Sequence, residues 1–274
     1  MNEMAKHHLL LQYYLGRIAV FILGPLIYLA IRLAGYRVRD LRQIRRKCHE
    51  LFKIHEGPWI ICANHLTMID SAILAYVIAP THRFMFNYRI LPWNVPERAN
   101  FQRNLFLTVL CYLSKCIPIS RGGDRQEVRS TLDSCLSVLK SKQNVLIFPE
   151  GGRSRTGRVD TENFSYGIGQ LIDSCKECKV LCIYLRGDSQ HTYSNLPRWG
   201  EKFSVLIDIM EPVSTELTGR RAHRHYAAQS IQQLALLEES YFASCRQRHR
   251  GSDRFRVKKE EQEYSLSEPR LHAR

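Results

Sequence analysis

The stretch that decides the fold reads WIICANHLTMID and runs from Trp59 to Asp70. It opens with five apolar residues directly after a Gly-Pro pair. A short apolar run bounded in this way is typical of a buried strand rather than a helix. We therefore predict that Asn64 and His65 follow the end of a central strand. In open α/β sheets that edge is where ligands bind.

The length and the charge of the chain limit its domain number and its classes of partner. Its 274 residues suffice to bury the core of one large domain. The 40 Lys and Arg residues against 26 Asp and Glu give a formal net charge of +14, which favours a membrane surface, a phosphorylated ligand or nucleic acid as partner. No RNA- or DNA-binding motif accompanies the charge, so we expect no nucleic-acid partner.

The nine cysteines are scattered, and several lie inside apolar runs. This pattern predicts reduced thiols that pack as small apolar groups in a protein facing the cytosol, without a disulfide framework. Cys175 and Cys178 have the CxxC spacing of a zinc site and Cys182 lies nearby, but no second CxxC follows. We therefore expect no metal.

The segment Leu9–Tyr36 is strongly apolar but contains Arg17 and Arg32. The uninterrupted part between the two arginines, IAVFILGPLIYLAI, is shorter than the ~20 residues that span a bilayer. Gly24 and Pro25 in its middle predict a kink or a helical hairpin. We expect a membrane-interface helix or a hairpin that enters one leaflet; a buried core helix and a spanning helix are the alternatives.

A dense run of basic residues follows between positions 36 and 53. Directly after an apolar segment, such a run is typical of a juxtamembrane helix that faces anionic lipid, although a merely solvated helix face has the same composition. We therefore predict three parts: a membrane-interface helical segment with a basic linker (1–53), an α/β domain (54–245), and a flexible basic and polar tail (246–274).

His65 and Asp70 are candidates for a catalytic pair. The residues that follow Asp70 are apolar at helical density up to Pro80, which places Asp70 in the first turn of a helix. If His65 precedes that helix and folds back, Asp70 accepts a hydrogen bond from one imidazole nitrogen and raises the basicity of the other. The alternative is that both residues only cap the helix.

A second polar turn occurs in Val145–Gly157, which reads VLIFPEGGRSRTG. A buried strand breaks at proline into a turn whose glycines allow close backbone approach and whose arginine and serine donors suit a phosphate. Its candidate binding residues are Gly151, Arg153 and Ser154. Glu150 would pair with an arginine or accept a hydrogen bond from a substrate hydroxyl. Alone, the turn could also be an ordinary one with a solvated basic face.

Between the two stretches, Cys116–Ser120 is predicted as a short strand that ends at Arg121, a further phosphate donor. Helical periodicity over 124–140 and 223–242, and strand-like runs over 180–185 and 203–210, complete the pattern. Strands that alternate with helices predict an α/β fold: a central mixed sheet flanked by helices, with the N-terminal apolar helical segment docking on a membrane.

The two motifs together resemble those of a known family. NHLTMID resembles the NHxxxxD signature of the glycerolipid acyltransferase family, which contains the lysophosphatidic acid acyltransferases, and FPEGGRS resembles its FPEGxRS signature. The order of the motifs and the intervening Arg121 are similar as well, and the resemblance covers about residues 58–187. The chain departs from the family pattern in two places: the block before Arg121 lacks a glycine, and the strand Ile183–Gly187 lacks a proline.

The resemblance implies an activity and roles for the candidate residues. A fatty acyl group would pass from acyl-CoA or acyl-carrier protein, a co-substrate rather than a bound cofactor, to the hydroxyl of a lysophospholipid, with 1-acylglycerol-3-phosphate as the expected acceptor. His65 would be the general base, and Asp70 would orient it. The remaining roles are substrate contacts: Asn64 or a backbone N–H at the oxyanion, Arg121, Gly151 and Arg153 at the phosphate, and Glu150 at the acceptor hydroxyl.

Other functions fit parts of the sequence. The departures from the family pattern leave room for another lysophospholipid or a lyso-aminolipid as acceptor. A non-enzymatic basic protein that binds membranes or nucleic acid would explain the charge but not the ordered motifs. A serine esterase would need a GxSxG turn, which the sequence lacks. The family resemblance and the basic run predict a protein on the cytoplasmic face of a membrane.

Overall fold

The computed structural model of the protein describes residues 3–120 and 122–267. The helices are α1 (Glu3–Leu33), α2 (Leu41–Ile54), α3 (Asp70–Ile78), α4 (Thr81–Phe86), α5 (Arg98–Phe101), α6 (Leu105–Leu113), α7 (Arg125–Lys140), α8 (Gly167–Ser174) and α9 (Gly219–Ser267). The strands are β1 (Arg37–Val38), β2 (Trp59–Ala63), β3 (Trp93–Asn94), β4 (Val145–Ile147), β5 (Lys179–Gly187) and β6 (Lys202–Met210).

The strands of the described chain form one sheet in the order β1-β6-β5-β2-β4-β3. Neighbouring strands run parallel except for the β5–β6 pair, which is antiparallel. All five residues of β2 are buried, as a strand covered on both faces requires. The prediction of a mixed sheet flanked by helices is confirmed, and β2 has the bounds that the sequence predicted.

One predicted strand is wrong. Residues 116–120 form only isolated bridges, from Cys116 to Asn94 and from Ile119 to Glu97. Pro118 lies between the two bridges and has no N–H to donate to a continuous ladder. Arg121, the cation predicted at the end of this segment, lies outside the described residues.

The N-terminal apolar segment is one continuous helix, so the predicted hairpin is wrong. Pro25 lies inside α1. The helix packs closely against α4 at this point, because a Cβ on Gly24 would lie only 2.6 Å from Thr81 Cγ2. Helix α1 is long and apolar enough to cross a bilayer, and just 17% of its most apolar window is buried. It is therefore not a buried core helix, and its outer face is apolar and exposed.

The chain divides into two compact units, Met1–Leu237 and Glu238–Arg274, and the sheet lies in the first. Strand β1 shows that part of the N-terminal linker joins the sheet. Helix α9 continues to Ser267, so its backbone includes much of the segment predicted as a tail. The flexibility of that tail and the boundaries 1–53, 54–245 and 246–274 stay predictions.

The cysteines follow the sequence prediction except at one pair. Cys175 and Cys178 form a disulfide, so the expectation of uniformly reduced thiols is wrong there. The remaining seven cysteines are free. Burial raises the pKa of Cys48 and of Cys135 to about 12, which keeps both thiols protonated and unreactive. Within residues 3–120 and 122–267, no group of three or more His, Cys, Asp or Glu side chains could hold a metal.

A buried lysine after α6 binds the segment between α4 and β3. Lys115 has no exposed surface, and its backbone is left-handed with φ 55°. Its Nζ donates to the Tyr88 carbonyl at 2.8 Å and to the Leu91 carbonyl at 2.9 Å. Burial, with a smaller contribution from Arg89, lowers the pKa of the Lys115 amine. A neutral amine still has two N–H donors, one for each carbonyl.

We predict that Lys115→Ala lowers the free energy of unfolding by about 3 kcal/mol, because two buried carbonyls lose their donor and a cavity remains. Lys142→Ala is the matched control, since Lys142 has the same left-handed backbone, with φ 56°, and an exposed side chain. Chemical denaturation of both variants measures the difference. Equal losses would show that backbone strain, and not the buried amine, accounts for the effect.

Candidate active site

The sheet brings the two sequence motifs to one edge. Strands β2 and β4 are parallel neighbours, with Cys62 paired to Ile147 at their ends. The chain leaves both strands at the same edge, so His65 and the turn after β4 meet there. This is the edge at which α/β sheets bind ligands.

Asp70 holds the imidazole of His65. The distance from His65 Nδ1 to Asp70 Oδ2 is 3.0 Å, and Asp70 is 2% exposed. Asp70 Oδ2 also accepts hydrogen bonds from the backbone N–H groups of Leu66 (2.6 Å) and Thr67 (2.8 Å), and the Thr67 hydroxyl donates to Oδ1. Asp70 is the first residue of α3, as predicted, and His65 folds back to reach it. A carboxylate held in this way fixes the orientation of the ring.

The turn after β4 holds the backbone and the ring of His65. Glu150 Oε1 accepts a hydrogen bond from the His65 backbone N–H at 2.9 Å, and the Ser154 N–H donates to the His65 carbonyl at 2.9 Å. The Phe148 ring stacks on the imidazole, with ring centroids 4.2 Å apart and planes 20° apart. The second motif is therefore a clamp on the first, which the sequence did not predict.

Three residues that were predicted to bind the substrate also make contacts within the fold, and their predicted substrate roles stay predictions. One oxygen of Glu150 lies on the His65 backbone N–H. The buried Ser154 hydroxyl donates to the Arg158 carbonyl. Asn64 donates to the Leu185 carbonyl at 3.0 Å and accepts from the Leu185 N–H at 2.7 Å, which ties the end of β2 to β5. The geometry favours positioning roles for all three.

Nε2, the second ring nitrogen of His65, makes no hydrogen bond within the described part of the chain. The His65 side chain lines a cavity of about 50 Å³, together with Arg153 and residues that the sequence did not single out: Ser71, Asn94, Glu97 and Asn100. No motif marks the last three: Asn94 is the last residue of β3, and Glu97 and Asn100 follow it in the chain. A proton acceptor in a small polar cavity is the arrangement that general-base catalysis requires.

Arg153 is held at the wall of the same cavity. Its Nη1 donates to the Ser194 carbonyl and to Asn195 Oδ1, both at 2.9 Å, and its guanidinium carbon lies 5.3 Å from the centroid of the Tyr193 ring. Residues 193–195 belong to the segment between β5 and β6, which the sequence did not implicate. Gly151 adopts φ +66° in the turn, a conformation that favours glycine.

A larger apolar cavity of about 280 Å³ lies beside the small one. Met68, Ser71 and Asn94 line both, so the two cavities share part of their walls. Its walls come from α1, α3 and α6, and include Leu23, Ile27, Ala72, Ala75 and Leu110. A long apolar group can therefore lie next to His65.

The comparisons with known proteins agree with this geometry. The sequence model of a family described as Acyltransferase matches residues 36–186, which is more than half of the chain and includes both motifs. The chain belongs to this acyltransferase family. The family resemblance read from the motifs is therefore confirmed.

The chain is also similar to a curated protein. It is 26% identical over 162 residues to a Saccharomyces cerevisiae protein named 1-acyl-sn-glycerol-3-phosphate acyltransferase. The match covers 58% of the chain and 48% of the yeast protein, so the chain spans about half the length of this relative.

Proposed function

We propose that this acyltransferase moves a fatty acyl group from an acyl thioester, acyl-CoA or acyl-carrier protein, to the free hydroxyl of a lysophospholipid. The proposed acceptor is 1-acylglycerol-3-phosphate, which gives phosphatidic acid. One observation carries the proposal: His65, oriented by Asp70 at 3.0 Å, lines a polar cavity that adjoins an apolar one. The name of the yeast relative supports the choice of acceptor.

His65 is the proposed general base. As the acceptor hydroxyl oxygen attacks the thioester carbonyl carbon, Nε2 takes the hydroxyl proton, and Asp70 stabilises the imidazolium that results. The tetrahedral intermediate then collapses, the C–S bond breaks, and His65 returns the proton to the departing thiolate. A thioester is an activated acyl donor, so no covalent enzyme intermediate is needed. A positioned base of this kind contributes about 10²- to 10⁴-fold.

The acceptor phosphate is assigned to the arginine side of the cavity. The planar guanidinium of Arg153 has several N–H donors, and Nη1 is fixed on residues 194 and 195. A guanidinium held in place loses little conformational freedom when it binds phosphate. The left-handed Gly151 turn and Arg121, which lies outside the described residues, complete the proposed phosphate site. Glu150, Ser154 and Asn64 position His65 and the strand ends rather than the substrate.

The fatty acyl chain of the donor is assigned to the apolar cavity. Because α1 forms one wall of this cavity and exposes a long apolar face, the chain site lies beside the proposed membrane contact. The exposed apolar side chains of α1 include Ile18, Ile22, Leu26 and Leu33. We propose that this face lies in the bilayer interface, with membrane lipids as partners and the site on the cytoplasmic side.

Part of the basic run remains available for anionic lipid. Arg45 donates to the Tyr76 carbonyl at 2.5 Å and Lys47 to the Ile207 carbonyl at 2.7 Å, so these two side chains are used within the fold. Arg42, Arg46 and Lys53 are exposed on the same helix, α2. Exposed cations directly after a membrane helix stabilise binding to anionic leaflets.

The first experiment is acyl transfer from a labelled acyl thioester to a panel of lysolipids, with the native protein and His65→Ala in matched membrane preparations. We expect product with 1-acylglycerol-3-phosphate and a loss of about 10²- to 10⁴-fold in the variant. His49→Ala, an exposed histidine on α2, is the control and should keep full activity.

Product with a different lysolipid would correct the acceptor and leave the chemistry in place. Equal activity of the native protein and His65→Ala would reject His65 as the base. No transfer to any acceptor by folded, membrane-bound protein would favour the non-enzymatic binding protein.

The apolar cavity should set the preferred acyl chain length. Ala72→Leu and Ala75→Leu each place extra carbon atoms in the cavity without weakening α3, because leucine is a good helix former. If about two methylene groups of the longest donor no longer fit in the cavity, its binding should lose ~1.6 kcal/mol of free energy. The kcat/KM of that donor should then fall roughly tenfold relative to shorter donors. Competition between acyl thioesters of different lengths measures this ratio.

Ala30→Leu is the matched control, since Ala30 is exposed on α1 and does not line the cavity. An unchanged chain-length ratio in Ala72→Leu and Ala75→Leu, or the same change in Ala30→Leu, would show that the acyl chain lies elsewhere.

A further inference from the structure

The segment between β5 and β6, residues 188–201, exposes three large apolar side chains, of which Leu196 and Trp199 are the most exposed. We call it the β5–β6 loop. Leu196 is 61% exposed and Trp199 is 76% exposed, whereas the other two tryptophans of the chain, Trp59 and Trp93, are 2% and 1% exposed. Exposed aromatic and aliphatic side chains grouped in one loop mark a contact surface.

Backbone contacts join this loop to the C-terminal end of α1. The Gly200 N–H donates to the Ala34 carbonyl at 2.8 Å, and the Tyr36 hydroxyl donates to the Pro197 carbonyl at 3.1 Å. Trp199 therefore lies next to the residues that follow Leu33, the last residue of α1, which is 65% exposed. Exposed apolar side chains at the end of α1 and in the loop are thus brought to one junction.

Exposed arginines surround this junction. Arg32 and Arg37 flank the end of α1, and Arg198 precedes Trp199 in the loop. Tryptophan is enriched where a bilayer meets water, because its ring is apolar and its indole N–H is polar. Arginines at the same level attract anionic headgroups. The composition of the junction fits a lipid interface better than the surface of a protein partner.

The same loop also supports the candidate active site. The Met68 N–H donates to the Asn195 carbonyl at 3.1 Å, and the Ser194 N–H donates to the Leu66 carbonyl at 3.0 Å. These bonds fix the segment between His65 and α3. Arg153 donates to the same two loop residues, 194 and 195. A displacement of the loop is thus transmitted to the residues next to the catalytic base.

We propose that the β5–β6 loop is a second membrane anchor, in which Leu196 and Trp199 enter the interfacial layer of the bilayer beside the end of α1. The loop thereby sets the depth of Arg153 and His65 relative to the lipid headgroups. This inference rests on the proposed function, which supplies the membrane and the lipid acceptor. Continuity with the apolar face of α1 selects a lipid surface as the occupant.

The test uses tryptophan fluorescence of the full-length protein in vesicles of phosphatidylcholine and phosphatidylglycerol. Lipids brominated near the headgroup end of the acyl chain quench only tryptophans that contact that layer. We expect quenching of the native protein relative to unbrominated vesicles, and loss of the quenched component in Trp199→Phe. The buried Trp59 and Trp93 provide the unquenched background, and Trp93→Phe is the matched control that keeps the quenching.

A native protein that binds vesicles without any quenching that depends on Trp199 would overturn the inference. So would a Trp199 emission that responds to protein concentration and not to bromine, because the loop would then be an interface between copies of the chain. An acyl-transfer assay distinguishes failure of this inference from failure of the proposed function. If the loop does not contact lipid but acyl transfer proceeds, the inference alone fails; if Trp199 is quenched but no lysolipid is acylated, the proposed function fails.

A kinetic measurement shows whether the anchor sets the depth of the site. Trp199→Ser should lower transfer to a lysolipid embedded in vesicles while leaving unchanged the transfer to a short-chain lysolipid dispersed as monomers. An equal loss on both substrates would show that the variant damages the site itself, which contradicts a role confined to the membrane contact.

Discussion

The geometry of the candidate active site depends on the clamp that the turn after β4 places on His65. A carboxylate oxygen of Glu150 and the amide of Ser154 take both backbone polar groups of His65, and Phe148 covers one face of its ring. Each buried hydrogen bond contributes about 1 kcal/mol net, and leaving either group unpaired costs more. Together with Asp70, these contacts remove nearly all freedom from a side chain whose second nitrogen meets a substrate hydroxyl in the proposed mechanism.

The order of the strands explains why two motifs that are distant in sequence lie together. Strands β2 and β4 are adjacent and parallel, so the residues after them meet without a long loop. The antiparallel β5–β6 pair adds a third element at the same edge, because the loop between these strands binds Arg153 and the segment after His65. The polar chemistry lies on loops that a rigid sheet positions. The apolar cavity beside it lies between helices, one of which has an exposed apolar face.

Local features of the fold could be predicted from the sequence. The apolar run of β2 and the start of α3 at Asp70 depend on nearby residues, and so does the meeting of His65 with Asp70 five positions later. The pairing of distant residues could not be predicted. Nothing in the sequence periodicity shows that Asn64 binds Leu185 or that Ser154 binds His65, since such partners are chosen by tertiary packing. Helix α1 likewise continues through Pro25, where local propensity predicts a break, and the neighbouring Gly24 packs closely against Thr81.

The central claim is that Asp70 acts on the reaction through His65. A double-mutant cycle of acyl transfer with His65→Ala, Asp70→Asn and the double variant tests it most directly, with thermal unfolding of each variant to verify the fold. If Asp70 serves only to orient and stabilise the His65 imidazole, the double variant should be no slower than His65→Ala alone. Losses that multiply in the double variant would show that the two residues act independently, and would contradict the pair as a catalytic unit.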